Sequence, residues 1–182
     1  MSLSTIIRKP AGIPTGGEFA AHDRAEGTVA LTIAPGDSLH SLTREEVAVI
    51  ALDHLSRADA ALEAANSATS LVDNGRHDGA RHAHAEVVVR ILNPGIDDID
   101  AELAAEQLLN DRFNGVRVED TDAFDPSELT ATERAQVIGD LTRRADELFV
   151  EADSAHIPAD VAHHTFARFE VLSDATAELT SR

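Results

Sequence analysis

Residues 42–72 read LTREEVAVIALDHLSRADAALEAANSATSLV, and apolar side chains recur along them at steps of three and four residues. This spacing matches the 3.6-residue turn of an α-helix and places the apolar side chains on one face. Thr43 and Glu46 have the spacing of a capping box, in which each side chain accepts a hydrogen bond from the other residue's backbone N–H. The segment therefore predicts a first helix over about residues 44–72.

The end of this first helix is marked by Asn74-Gly75, a typical helix stop. A helix over residues 44–72 would be about 43 Å long, which is more than a domain of this size needs, so a break near Asn66-Ser67 is an alternative. The rest of the chain predicts four further helices. Two of them cover about residues 80–92 and 97–113. The third begins at the capping box of Thr130 and Glu133, and the fourth begins at Pro158.

The apolar composition also favours helices. Only six side chains are aromatic, and all six are Phe, so the core must be built from Leu, Val, Ile and Ala. Such a core suits closely packed helices better than a sheet, which is rich in aromatic and β-branched pairs. The prediction is an all-α fold, a four- to five-helix bundle over residues 41–182. An extended N-terminal arm and loop with one short strand precedes it over residues 1–40.

The N-terminal arm differs in character from the helical part. Residues 8–20, RKPAGIPTGGEFA, show neither helical nor strand periodicity. Proline fixes φ and lacks an N–H donor, and paired glycines permit positive φ, so we expect an extended segment with one tight turn. The run TVALTI (28–33) then predicts a short strand, whose partner must be the bundle or a second copy of the chain.

The pattern Arg-x-Pro-x-Gly-x-Pro-x-Gly-Gly-x-Phe-Ala in this arm resembles the N-terminal arm of uncharacterised proteins of actinobacterial phages, prophages and plasmids. The similarity covers about 30 of the 182 residues and does not include the helices. It implies an origin in a phage or a high-GC Gram-positive genome, which agrees with Lys9 being the only lysine among 15 basic residues. The resemblance implies no particular activity.

The arm also has the physical properties of a binding segment. Its prolines lower the entropy lost on binding, its paired glycines allow close backbone approach, and Phe19 supplies an apolar anchor. The positive charge at its start suits contact with an acidic neighbouring subunit. We expect a protein partner or self-association as a homo-oligomer, with a disordered tail as the alternative. The predicted binding residues are Arg8, Lys9, Pro10, Pro14, Gly16, Gly17 and Phe19.

Net charge excludes several classes of partner. The chain has 33 acidic and 15 basic residues, for a formal net charge of −18. This charge repels phosphate backbones and anionic bilayers, so we expect no direct nucleic-acid binding and no membrane binding. There is no apolar run of membrane-spanning length, no cysteine and no apolar region of a secretory signal. A cytoplasmic location without disulfides or thiolate sites is the resulting expectation.

Nine histidines raise the question of a metal site. Helical bundles hold metals with inward-facing His and carboxylate side chains from several helices, and here the candidates are His54, His84 and His164 with a carboxylate. Asp78 and His82 also lie in the His-rich start of the second helix. However, Glu-x-x-His repeated on two helices is absent, and so is His-Glu-x-x-His. We therefore expect no metal and no cofactor, with the histidines solvated or hydrogen-bonded at boundaries.

Catalytic motifs give no support for an enzyme. The sequence contains no Gly-x-Ser-x-Gly, no phosphate-binding loop ending in Gly-Lys-Ser/Thr, and no dinucleotide-binding Gly-x-Gly-x-x-Gly. The preferred hypothesis is a non-catalytic acidic helical interaction protein of a phage or mobile element, acting through its arm and its bundle surface. One alternative is a DNA-mimic inhibitor of a restriction or defence nuclease, and a second is a metal-dependent helical-bundle enzyme.

Overall fold

The computed structural model describes residues 39–120, 124–154 and 156–182. Helices make up 79% of these residues, which include five α-helices and no named strand. The predicted all-α fold is thereby confirmed. The strand predicted at 28–33 lies outside the described residues, as do all seven predicted binding residues of the arm.

The helices are α1 (Arg44–Ser67), α2 (Leu71–Leu92), α3 (Asp98–Phe113), α4 (Ala131–Ala152) and α5 (Ala159–Ser181). A short 3₁₀ turn, Val118–Asp120, follows α3. The central element is α2, which packs against α1, α3 and α5 and also touches α4. None of the described helices is both long and apolar enough to cross a bilayer.

The two predicted capping boxes are both present. The side chains of Thr43 and Thr130 each accept a hydrogen bond from the backbone N–H of the third helical residue, Glu46 or Glu133, and each threonine donates its own backbone N–H to that glutamate's carboxylate. Immediately before these caps, Leu42 and Leu129 exchange backbone N–H···O hydrogen bonds of 2.8 and 2.9 Å. The starts of α1 and α4 are therefore fixed side by side.

The predicted end of the first helix at residue 72 is wrong, whereas the alternative break near Asn66-Ser67 is confirmed. The first helix ends at Ser67, and α2 begins at Leu71 with Ser70 as its cap. Asn74 does not stop a helix but lies in the first turns of α2, where its side-chain amide donates to the Ala65 carbonyl at 3.1 Å. Asn74 therefore links the start of α2 to the end of α1 and does not end a helix.

Glycines inside α2 have a packing role that the sequence analysis did not anticipate. A Cβ at Gly75 would lie 2.7 Å from the backbone oxygen of Asp160, and a Cβ at Gly79 would lie 2.2 Å from that of His164. Both distances are shorter than any ordinary carbon–oxygen contact. The missing side chains therefore allow the backbones of α2 and α5 to touch, which outweighs the helix-propensity cost of glycine.

Aliphatic side chains form the core, as predicted. The main cluster joins α1, α2, α4 and α5 and includes Ile50, Val87, Leu141 and Leu172, while a second cluster packs under α3. Leu39, from the predicted loop, packs against the main cluster. The helical unit therefore draws apolar area from residues that precede its first helix.

Charged residues also enter the interior. Arg134 is 1% exposed, and its guanidinium donates to the carbonyl oxygens of Leu179 and His40, each at 2.7 Å. Glu86 is 2% exposed and accepts hydrogen bonds from Arg90 and Arg168. Ion pairs also link Arg90 and Arg143 to Asp98, and together they hold the pKa of Asp98 well below its usual range, with Arg143 the larger cause.

Candidate functional site

The predicted metal candidates separate into two places. His54 and His84 face each other across the contact of α1 with α2, whereas His164 on α5 lies beside Asp78 and His82 of α2. Among the described residues, this last trio is the group of three His, Asp or Glu side chains whose ligand atoms all lie within 4.8 Å of one another. The structure therefore brings His164 to a carboxylate, but without His54 and His84.

His54 and His84 form a hydrogen-bonded pair. Their Nδ1 atoms are 2.9 Å apart, so one ring donates while the other accepts, and the accepting ring must be neutral. Burial lowers the pKa of His84 to about 4, with His54 as a further cause. Burial also lowers the pKa of His54, although Glu178, whose carboxylate lies 3.8 Å from Nε2, opposes the shift. This geometry is that of a core polar contact in which the two Nδ1 atoms are already engaged.

Acidification should destabilise the fold through this pair. A histidine in an unfolded chain has a pKa near 6.5, whereas the pKa of His84 in the fold is about 4. Below pH 6.5 the unfolded chain therefore binds protons that the folded chain rejects, and stability falls as the pH drops toward about 4. Discounting for partial solvent exposure, we expect a loss of about 1–2 kcal/mol between pH 7 and pH 5 in urea denaturation.

One substitution within the pair and one control substitution outside it test whether the pair causes this loss of stability. His54→Gln removes one titrating ring and retains an amide that can hydrogen-bond to His84, so its loss between pH 7 and pH 5 should be smaller. His156 is exposed, and His156→Gln should keep the wild-type pH dependence. The same pH dependence in all three proteins would show that the buried pair does not contribute.

The second group, hereafter the Asp78 triad, consists of Asp78, His82 and His164. Asp78 and His82 share one face of α2 because they are four residues apart, and the glycine contact brings His164 of α5 against that face. The Asp78 Oδ2 atom lies 3.6 Å from Nδ1 of each histidine. Burial lowers the pKa of His164, and Asp78 opposes that shift. The triad can hold one shared proton or one cation between its side chains.

Aromatic side chains collect where α4 ends and α5 begins. Phe169 packs against Phe149 and Phe166 with ring centroids 5.1 and 5.5 Å apart, so half of the chain's six phenylalanines lie together. Beside them is an open cavity of about 230 Å³, which we call the aromatic groove. It is lined by Phe149, Ala152, Asp153, Ala162, His163 and Phe166.

The aromatic groove was not predicted from the sequence. Phe166 is 40% exposed, and Val161 is exposed to a similar extent. The available signal was the spacing of Phe166 and Phe169, which puts two rings on neighbouring positions of one helix. What the sequence could not show is that Phe149 of α4 meets them.

No protein-family model, curated protein or solved structure matches this chain.

Proposed function

We propose that this chain is a non-catalytic acidic helical interaction protein of a phage or mobile element, which acts through its N-terminal arm and its bundle surface. The observation that carries the proposal is the aromatic groove. Aromatic rings that converge on a partly exposed cavity provide the central anchor point that protein interfaces use. The phage or mobile-element origin is supported by the arm pattern alone.

The occupant we propose for the aromatic groove is the arm of a second copy. The chain's net charge of −18 makes two copies repel each other, so contact requires a locally positive segment. Arg8 and Lys9 provide that positive charge, and Phe19 provides an apolar side chain for the groove. Asp153 at the groove's edge adds an anionic partner for the cations.

The length of the arm permits this contact. Leu39 lies twenty positions after Phe19, and an extended chain spans up to about 3.3 Å per residue, so this part of the chain has a maximum length of about 65 Å. Helix α5, with 23 residues, is about 35 Å long. The maximum length of the arm therefore exceeds the length of a bundle helix.

The test is the mass of the protein in solution, measured by light scattering at several concentrations and at low salt. Full-length protein should be a dimer or larger, and Phe166→Asp should reduce its mass to that of a monomer. Phe113→Asp is the matched control, since Phe113 is 70% exposed at the end of α3. A monomeric wild type, or a Phe166→Asp variant that associates like the wild type, would refute the proposal.

Deletion of residues 1–33 tests the arm separately. It leaves Leu39 and the His40 carbonyl in place, so the packing of Leu39 and the hydrogen bond from Arg134 are retained. The truncated protein should keep its helical circular dichroism and lose its association. Added salt should weaken association of the full-length protein, because part of the attraction is between exposed charges.

The DNA-mimic alternative is disfavoured by the ion pairs. Mimicry needs acidic side chains that are free to imitate a row of phosphates. In the described residues, carboxylates on all five helices are paired with arginines, as in Asp98 with Arg143 and Glu102 with Arg168. The arginines therefore interrupt the rows of unpaired acidic side chains that mimicry of a phosphate backbone requires.

A further inference from the structure

The Asp78 triad has the donor chemistry of a transition-metal site. Two imidazoles and one carboxylate suit Zn²⁺ and its neighbours in the first transition row, whereas Ca²⁺ and Mg²⁺ prefer sites made of oxygen ligands alone. Each side chain offers one ligand atom, and these atoms lie within 4.8 Å of one another. Tetrahedral Zn²⁺ with bonds of about 2.0–2.1 Å sets its ligand atoms about 3.3 Å apart. The 3.6 Å from Asp78 Oδ2 to His164 Nδ1 is already close to this value.

Neighbouring groups orient the three ligands. The Nδ1 atom of His82 lies 3.0 Å from the Asp78 carbonyl oxygen, which can only accept, so Nδ1 carries the proton and Nε2 keeps a free lone pair. Arg81 lies 3.7 Å from Asp78 Oδ1, the carboxylate oxygen that does not face the histidines. The backbone of Gly75 hydrogen-bonds to the ring of His164. Outer contacts of this kind fix the tautomer and direction of metal ligands in proteins.

The position of the triad suits reversible binding from solution. The side chains of His82 and His164 are each 28% exposed, and that of Asp78 is 38% exposed, so an ion can enter and keep water as a further ligand. The ligands come from α2 and α5, the pair of helices that the glycine contact holds together. A bound ion would therefore cross-link two helices that are far apart in sequence.

We propose that Asp78, His82 and His164 form a binding site for one divalent transition-metal ion of the Zn²⁺ class. The site shares only His164 with the candidates from the sequence. It is also separate from the aromatic groove, so failure of the association experiment would leave it unaffected.

The test uses metal-free full-length protein titrated with Zn²⁺ near neutral pH by calorimetry. We expect one equivalent to bind with saturable heat. The melting temperature should rise by roughly 5–10 °C when free Zn²⁺ exceeds the dissociation constant about 100-fold, and excess chelator should reverse the rise. Co²⁺ gives an independent readout, because four- or five-coordinate Co²⁺ in the triad absorbs visible light far more strongly than the hydrated ion.

Three variants decide whether the triad is the site. Asp78→Asn, His82→Gln and His164→Gln should each weaken Zn²⁺ binding at least 10-fold and abolish the Co²⁺ bands, with circular dichroism confirming that each remains helical. His156→Gln, at an exposed position, is the control and should bind like the wild type. No saturable binding to the wild type, or undiminished binding to all folded triad variants, would overturn the proposal.

Discussion

Replacing Gly79 with alanine is expected to lower the free energy of unfolding by about 2–3 kcal/mol, the cost of forcing an extra methyl group into a tightly packed contact. The new Cβ would lie 2.2 Å from the backbone oxygen of His164, and backbone cannot move aside as a flexible side chain can. Helices α2 and α5 must therefore separate along their shared contact. For a chain of this size, the melting temperature should fall by roughly 5–10 °C.

Gly139→Ala is the matched control for this substitution. Gly139 lies within α4, and a Cβ there would meet no atom within 4 Å. Alanine should therefore raise the free energy of unfolding by about 0.5–1 kcal/mol through helix propensity alone. If the free energy of unfolding falls for Gly79→Ala and rises for Gly139→Ala, close backbone packing is the reason that glycine is needed at position 79. A neutral or stabilising Gly79→Ala would contradict the packing of α2 against α5.

Replacing Glu86 with glutamine should lower the free energy of unfolding by about 3 kcal/mol, because it removes the buried carboxylate that two arginines share and leaves each of them only a more exposed acidic partner. The Arg90 side chain is 2% exposed and that of Arg168 is 11% exposed, so water cannot easily replace the lost carboxylate. Arg90 Nη1 and Arg168 Nε already lack a hydrogen-bond partner within the described residues. The substitution retains the shape of the side chain, so the loss reports charge rather than a cavity.

Glu102→Gln is the appropriate comparison for the buried pair. Glu102 also accepts a hydrogen bond from Arg168, but its side chain is 48% exposed. Exposed ion pairs contribute little, so this variant should lose less than about 1 kcal/mol in denaturant titration. If the two glutamine variants lose equal stability, burial of Glu86 is not what makes its charge important.

The parts of the fold that depend on local sequence were predictable. Thr43 and Thr130 mark helix starts because a capping box is formed within four residues, and it forms in the same way whatever the tertiary packing. The end predicted at Asn74-Gly75 failed because α5 packs on that turn, a contact between residues more than 80 positions apart. Glycine does not indicate the end of a helix where it is needed for contact with the backbone of a helix distant in sequence.

The candidate sites depended on information that one helix does not contain. Asp78 and His82 could be placed on one face from their spacing, but only the position of α5 shows that His164, rather than His54 or His84, completes the group. The burial of Glu86 was not predicted, although the run Val87-Val88-Val89 beside it is typical of a helix buried on several sides. The sequence therefore indicated that α2 carries the site residues, but it did not show which side chains of other helices they contact.

The Arg134 guanidinium has a topological consequence. It holds the carbonyl oxygens of His40 and Leu179, so two backbone positions at opposite ends of the helical sequence meet within the reach of one side chain. Domains whose ends adjoin tolerate circular permutation and insertion into a host loop. A short linker from residue 182 back to residue 39, with new termini opened in the connection between α3 and α4, should preserve the bundle, which could then be displayed as a cassette within another protein.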